Sequence, residues 1–267
     1  MTDQDILDFA GRVAVITGAG SPTGIGFATA ALLGKLGAAV AIGGTTPRIE
    51  ARVKDLQAAG VDAIGFCGDL TVPASATALA SSAMSRWGRI DVLVNNAGMV
   101  SAAQPEFESG GVRDMTLPMW RQGMARNLET AFLMTAAVEP FMQERNYGRI
   151  LMVASITGPV MAMRSDIVYA AAKAGLTGLV RALAVDLAGS GITVNAVAPG
   201  WISTGSQTID ERREGVHTPI GRSGTPEEVA SAIVWLTSSS ASYVTGQCLN
   251  IDGGNSIAEQ RAVPGSR

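Results

Sequence analysis

The sequence predicts an α/β fold: one domain built on a doubly wound parallel sheet of about seven strands, with helices on both faces. Three observations predict it. Short, β-rich apolar runs alternate with longer helical patterns along most of the chain. Gly is abundant, 32 of 267 residues, while charged residues are only 16%, a balance that suits tight turns and close helix–sheet packing. A glycine-rich stretch, Gly18-Ala19-Gly20-Ser21-Pro22-Thr23-Gly24-Ile25-Gly26, joins the first apolar run to the first helical one. Alternating strands and helices imply parallel pairing through right-handed crossovers. The length exceeds that of most domains, yet α/β domains of ~250 residues are common as single units. There is no internal repeat, low-complexity tract or interdomain linker, so residues 1–267 read as one domain.

The elements follow in order. Residues 12–17 read as the first strand and 25–36 as a helix entered through glycines. Residues 39–43 form the second strand and 48–59 a helix; 62–67 form the third strand and 73–87 a helix opened by Pro73. A fourth strand at 90–94 precedes a loop, 101–114, that is rich in Gly and Glu, and then a long helical stretch, 117–145, with a bend expected near Pro140. Residues 149–153 form the fifth strand, 167–189 a helix, and 193–197 the sixth strand. The segment 200–225 reads as a mobile lid, 226–237 as a helix and 247–251 as the last strand, before a loose tail at 258–267.

Composition narrows the function. A net charge of −3 without a basic run argues against nucleic acid as a partner. The acidic start, residues 1–9, is unlike a signal peptide, and no apolar run approaches the ~18 residues of a membrane span. Cys67 and Cys248 give no disulfide framework and no metal spacing, which fits a reducing cytoplasm. The single histidine, His217, makes a His-based metal site or triad unworkable, so no metal is expected.

The chemistry is concentrated in Tyr169-Ala170-Ala171-Ala172-Lys173. On a helix this spacing puts phenol and ammonium on one face. A phenol with a pKa near ~10 is a poor acid or base at neutral pH, and a cation beside it favours the phenolate. The glycine-rich turn between strand and helix would cradle a pyrophosphate, because the backbone comes close and the helix N-terminus offers free N–H groups. Asn95-Asn96-Ala97-Gly98 ends the fourth strand, Asn127 follows, and Ser155 precedes the tyrosine by 14 positions. Together, these motifs resemble those of the classical short-chain dehydrogenase/reductase family, whose members share a single-domain Rossmann fold. The resemblance spans roughly residues 10–255.

The resemblance implies a catalytic tetrad of Asn127, Ser155, Tyr169 and Lys173. Tyr169 would be the general acid in ketone reduction and the base in alcohol oxidation. Ser155 would bind the same oxygen, Lys173 would lower the tyrosine pKa and bind the nicotinamide ribose, and Asn127 would hold a water linking Lys173 to solvent. Two departures from the family pattern stand out. The glycine loop has five residues between Gly18 and Gly24, two more than usual, which leaves open which of Gly20, Ser21, Pro22 and Thr23 touch the cofactor alongside Ile25 and Gly26. The Ser-to-Tyr spacing is one longer than usual, an insertion that falls in the intervening loop.

Where the family's NAD-type members carry an acidic residue after the second strand, this chain has Gly44, followed by Thr45, Thr46 and Arg48. Arg48 pairs naturally with a 2′-phosphate, so NADP(H) is favoured over NAD(H); the competing reading of Arg48 is a solvated helix residue. Asp69 and Leu70 would meet the adenine, Asn96, Ala97 and Gly98 the adenosine ribose, and Pro199, Gly200, Ile202 and Thr204 the nicotinamide amide. On the substrate side, Met161, Met163 and Trp201 suggest a medium-sized apolar pocket, although plain core packing explains the methionines equally well.

A free small-molecule ketone or secondary alcohol is the expected substrate. The alternative is a 3-oxoacyl-carrier-protein reductase, but the positions that would dock an acidic carrier are Leu133, Val185 and Ser190, all neutral. Enoyl reductases space Tyr and Lys seven apart, and position 176 is Leu. A catalytically silent dinucleotide-binding regulator has no use for Ser155, Tyr169 and Lys173 together. Val138, Phe141, Leu179 and Leu183 are candidates for a helix-to-helix subunit contact in a homo-oligomer, a tetramer by family habit.

Overall fold

The computed structural model describes residues 7–98 and 110–259. It contains one seven-stranded, fully parallel sheet in the order β3-β2-β1-β4-β5-β6-β7. The strands are β1 (Val13–Ile16), β2 (Ala39–Gly44), β3 (Ala63–Cys67), β4 (Val92–Asn95), β5 (Gly148–Val153), β6 (Ile192–Pro199) and β7 (Cys248–Ile251). Strand order reverses between β1 and β4; sheets of this kind bind ligands beside such a point, at the carboxyl ends of the strands.

The helices are α1 (Ile25–Lys35), α2 (Arg48–Ala58), α3 (Pro73–Trp87), α4 (Leu117–Met124), α5 (Thr130–Glu144), α6 (Ile167–Leu187), α7 (Ile209–Val216) and α8 (Pro226–Thr237). Helices α3, α5 and α6 cover one face of the sheet through Leu79, Met134, Val138, Leu176 and Val180. On the other face, α1, α2 and α8 pack through Leu33, Ile49, Leu56 and Ile233. The two-residue period of β1 serves both cores, with Val13 and Val15 on the first and Ala14 and Ile16 on the second. β1, β5 and β6 are buried along their whole length, as expected of strands covered on both faces.

Local chemistry sets the ends. Pro73 opens α3 and Gly88, at φ +68°, closes it. Thr225 and Glu228 form a capping box around the start of α8, with Pro226 at its first position.

Three features differ from the sequence expectations. Helix α5 runs unbroken through Pro140, and the irregularity falls earlier, as a π turn at Ala125–Glu129 that contains Asn127. The lid segment contains its own capped helix, α7, held by reciprocal Thr208–Glu211 bonds. The helix at Ile167–Ser190 is long and apolar enough to span a membrane by composition, but Leu176, Val180, Ala184 and Leu187 bury its apolar face in the first core. The loop segment 101–109 and the tail from 260 lie outside the described residues.

Val138 is not a subunit contact: it is fully buried in the first core. Phe141, Leu179 and Leu183 also pack against that core, partly buried, whereas the outward apolar groups of α5 and α6 are Phe132 and Val185.

Candidate active site

The glycine loop turns at the carboxyl end of β1 and feeds α1. Gly18 has φ +69°, and a Cβ there would lie 2.8 Å from the Asn96 amide nitrogen and 2.9 Å from the Ala97 backbone. At Gly26 a Cβ would come 2.6 Å from the same Asn96 nitrogen. Only glycine permits this approach of loop to β4. The Asn96 side chain donates to the carbonyls of Thr17 and Gly18, each at 3.0 Å, so it clamps the loop. The Thr17 hydroxyl accepts from the Asn96 and Ala97 amides, a brace with no motif in the sequence to announce it. Helix α1 has Gly24 as its N-cap, with no side-chain cap and no acid in its first turn. Its positive end therefore meets no carboxylate of its own first turn, which suits a pyrophosphate. Around Gly20 there is open space, and Gly205 of the lid segment packs against Thr23, so the loop and the lid meet.

Beyond β2, Gly44 ends the strand, and Thr45, Thr46 and Arg48 lead into α2. Arg48 is exposed and donates from Nε to the Thr46 hydroxyl at 3.4 Å. Asp69 follows β3, and its Oδ1 accepts from the amide and the hydroxyl of Thr71. Leu70 is 4% exposed and packs in the first core with Leu79, so its side chain is a floor beneath this corner. Asn95 is also buried and donates to the Thr135 hydroxyl, tying β4 to α5.

Residues far apart in sequence converge at the ends of β4, β5 and β6. Lys173 is 3% exposed and donates from Nζ to the carbonyl of Val153 at 2.9 Å. Its nitrogen lies 5.6 Å from the centroid of the Tyr169 ring. A Cβ placed on Gly98 would lie 2.9 Å from Asn127 Oδ1 and 3.2 Å from Lys173 Nζ, so both polar groups converge on that glycine. Asn127, in the π turn, is held by donation to the Gly123 carbonyl of α4. Ser155 lies just past β5, where its oxygen accepts from the Thr157 amide, and it hydrogen bonds to Tyr169. The structure thus brings Asn127, Ser155, Tyr169 and Lys173 to one place.

The electrostatics depart from the simple Tyr–Lys reading. Burial pushes the Tyr169 phenol up to about 12, opposed by the Ser155 hydrogen bond and reinforced by the charges of Asp166 and Glu211. Burial also lowers Lys173 to about 8. Desolvation is the largest influence on both groups.

Of the residues expected beside the nicotinamide, Pro199 ends β6 buried, the Gly200 amide donates to Ile251, and Ile202 is buried and bridged to Gly224. Thr204 pairs with Ser206. Met161 is half-buried, with its sulfur 3.8 Å from the Asn255 amide, whereas Met163 is 46% exposed. The Trp201 indole N–H is buried without a hydrogen-bond partner. His217 caps the end of α7, away from this convergence in sequence and half-buried. No motif pointed to Asp166 or Glu211, whose charges raise the Tyr169 phenol.

A family profile described as enoyl-(acyl carrier protein) reductase matches residues 18–256. The chain is a short-chain dehydrogenase/reductase. It is 41% identical over 262 residues to a protein of Streptomyces virginiae assigned as a ketoacyl reductase of the monensin polyketide synthase, covering 91% of this chain and 96% of that one. It is 40% identical over 250 residues to the cis-4-hydroxycyclohexanecarboxylate dehydrogenase of Sinomonas cyclohexanicum, covering 92% and 97%. Among solved structures, a Phe-to-Trp variant of the actinorhodin polyketide ketoreductase with NADPH superposes with a TM-score of 0.84 at 34% identity, covering 92% of this chain and 98% of that one. As a short-chain dehydrogenase/reductase, this protein is an oxidoreductase of keto and CH–OH groups that uses a nicotinamide cofactor. The uncompensated start of α1 and the glycine cradle at Gly18 and Gly26 fit the cofactor's pyrophosphate.

Proposed function

We propose that this chain interconverts a free ketone and its secondary alcohol, of medium size and largely apolar, with NADP(H) preferred to NAD(H). The convergence of Ser155, Tyr169, Lys173 and Asn127 around Gly98 carries the reading. When bound, the nicotinamide supplies or accepts the hydride. Tyr169 gives its proton to the carbonyl oxygen, and Ser155 donates a hydrogen bond to the same atom, which fixes the substrate and stabilises the developing charge. Lys173 holds the cofactor ribose and refills the tyrosine proton, with Asn127 holding a water on the path to solvent. Gly44, Thr46 and Arg48 support the choice of NADP(H), since no carboxylate stands at the end of β2 to repel a 2′-phosphate and Arg48 is exposed beside it.

The protein acts in this reading as a cytoplasmic homotetramer. The two free thiols support the compartment, and the outward Phe132 and Val185 support pairing of α5 and α6 across a twofold axis. Light scattering giving a monomer mass at micromolar concentration rejects the assembly.

The competing substrate is an acyl group on a carrier protein, as the names of some relatives suggest. At the positions expected to dock one, Val185 is 80% exposed and apolar, Leu133 is turned partly into the core, and Ser190 is neutral. None attracts an acidic partner. A competition assay between a free cyclic or aryl ketone and a carrier-bound 3-oxoacyl thioester, at low and moderate salt, decides between them. The free ketone is expected to win with little salt effect, because no long-range attraction is there to be screened within ~8 Å. A steep salt dependence with the carrier substrate preferred overturns the reading.

A further inference from the structure

The lid segment, 200–225, folds back on itself. Ile202 bridges Gly224, the Ser203 amide donates to the Gly224 carbonyl at 2.8 Å, and the Gly224 amide donates to the Trp201 carbonyl at 2.9 Å. These bonds pin its two ends together. Further in, the Gln207 side-chain amide donates to the Ser223 hydroxyl at 2.9 Å. A Cβ on Gly215, in α7, would lie 3.0 Å from the Ser223 amide nitrogen, so the helix is packed tightly into the same unit.

The tip of this unit touches the glycine loop. Thr204–Gln207 is a tight turn, closed by the Gln207 amide on the Thr204 carbonyl at 3.1 Å, with Gly205 as its first central residue. A Cβ on Gly205 would lie 2.6 Å from the Thr23 hydroxyl and 3.8 Å from that of Ser21. The backbone at Gly205 is not left-handed, so the turn itself tolerates a side chain. What asks for glycine is the close approach of Thr23. Thr23 is the last of the five residues between Gly18 and Gly24, in the loop that exceeds the family pattern by two, and it precedes the N-cap of α1. The contact therefore stands at the rim of the cradle that fits the cofactor's pyrophosphate. It is also small, one glycine against one threonine, both exposed. It is weaker than the hydrogen bonds that hold the lid to itself, so lid and loop part here before the lid unfolds.

We propose that Thr23 and Gly205 form a clasp that closes the lid over the cofactor's phosphates, and that the nicotinamide cofactor enters and leaves only while the clasp is open. Both are positioning residues for cofactor exchange and take no part in the proton or hydride step. The clasp needs the nicotinamide cofactor and holds whichever ketone or alcohol is the substrate.

The test reads cofactor exchange on the purified full-length protein, with the more tightly bound of NADPH and NADH as a fluorescent probe. In a Thr23→Cys/Gly205→Cys variant, diamide is expected to join the two thiols, as the close approach of these positions permits. Cofactor loaded before oxidation then stays bound through gel filtration, cofactor added afterwards does not bind, and dithiothreitol restores exchange. The two single-cysteine variants, treated alike, are expected to exchange freely. Gly205→Val props the turn off Thr23 and is expected to release cofactor at least ~10-fold faster in stopped-flow displacement, since a lost contact shows mainly in the off-rate. Absence of a cross-link overturns the contact. Cross-linked protein that exchanges as fast as its reduced form overturns the clasp, and so does Gly205→Val with a wild-type off-rate. A block seen equally in a single-cysteine variant belongs to Cys67 or Cys248 and also overturns it. Ketone turnover enters none of these measurements, so an error in the proposed substrate leaves them unchanged. Wild type that binds neither probe overturns the clasp together with the cofactor.

Discussion

Lys173 reaches back from α6 to the carbonyl of Val153, the last residue of β5, and donates to it at 2.9 Å. This bond fixes the helix that carries Tyr169 to the strand that leads to Ser155. Burial lowers Lys173 to about 8, against about 10.5 for an ordinary lysine. The unfolded chain therefore binds the proton more tightly between those values, and this group makes the fold gain stability as pH rises from about 8 to about 10.5. Lys173→Met leaves the Val153 carbonyl without its donor and removes that rise. Melting curves at pH 7.5 and 9.5 check it: the melting temperature of wild type relative to the variant is expected to be higher at the higher pH.

Tyr169→Phe keeps the ring in its buried place and removes the proton. Turnover is expected to fall by at least ~10²-fold, the scale of a lost general acid, while titration by cofactor fluorescence shows binding retained. Near-wild-type turnover on the best substrate refutes the role.

Gly44→Asp is expected to swing preference towards NAD(H). A Cβ there would sit 3.3 Å from the Cδ1 of Ile49, the flexible end of a side chain, so the strand end accommodates it. The ratio of NADPH to NADH dissociation constants should rise at least ~10-fold, corresponding to ~1.4 kcal/mol. A wild type already preferring NADH by that margin refutes the roles given to Thr46 and Arg48.

Asp166→Asn is expected to stabilise the fold at neutral pH. Raised from 3.8 to about 6, the carboxyl binds its proton more tightly folded than unfolded. Its contribution is fully present below pH 3.8 and is lost as pH rises through about 6. The loss is at most about 3 kcal/mol above that range. The melting temperature of the variant should exceed that of wild type at pH 8 and approach it at pH 4.5. A constant difference at both pH values means the carboxyl is not strained by burial.

The sheet was legible because both cores demand it. Alternate residues of β1 feed opposite faces, and β5 and β6, covered on both sides, are mostly apolar. The glycine loop was legible because Gly18 and Gly26 stand where any side chain would strike Asn96. The π turn at Asn127 was not: its residues have no local mark for an extra backbone unit, and the expected break at Pro140 is absorbed within α5.

The sequence by itself determined the strand order's raw material, the glycine cradle and the residue types that converge on Gly98, because turn geometry and side-chain period act over a few residues. Only the tertiary structure decided which charges govern the phenol. Tyr169 and Lys173 are neighbours on one helix in any reading of the chain, yet burial moves the phenol to about 12 and the amine to about 8, and Asp166 and Glu211 act on Tyr169 from outside that pair. Desolvation depends on everything packed around a group, and no spacing along the chain encodes that.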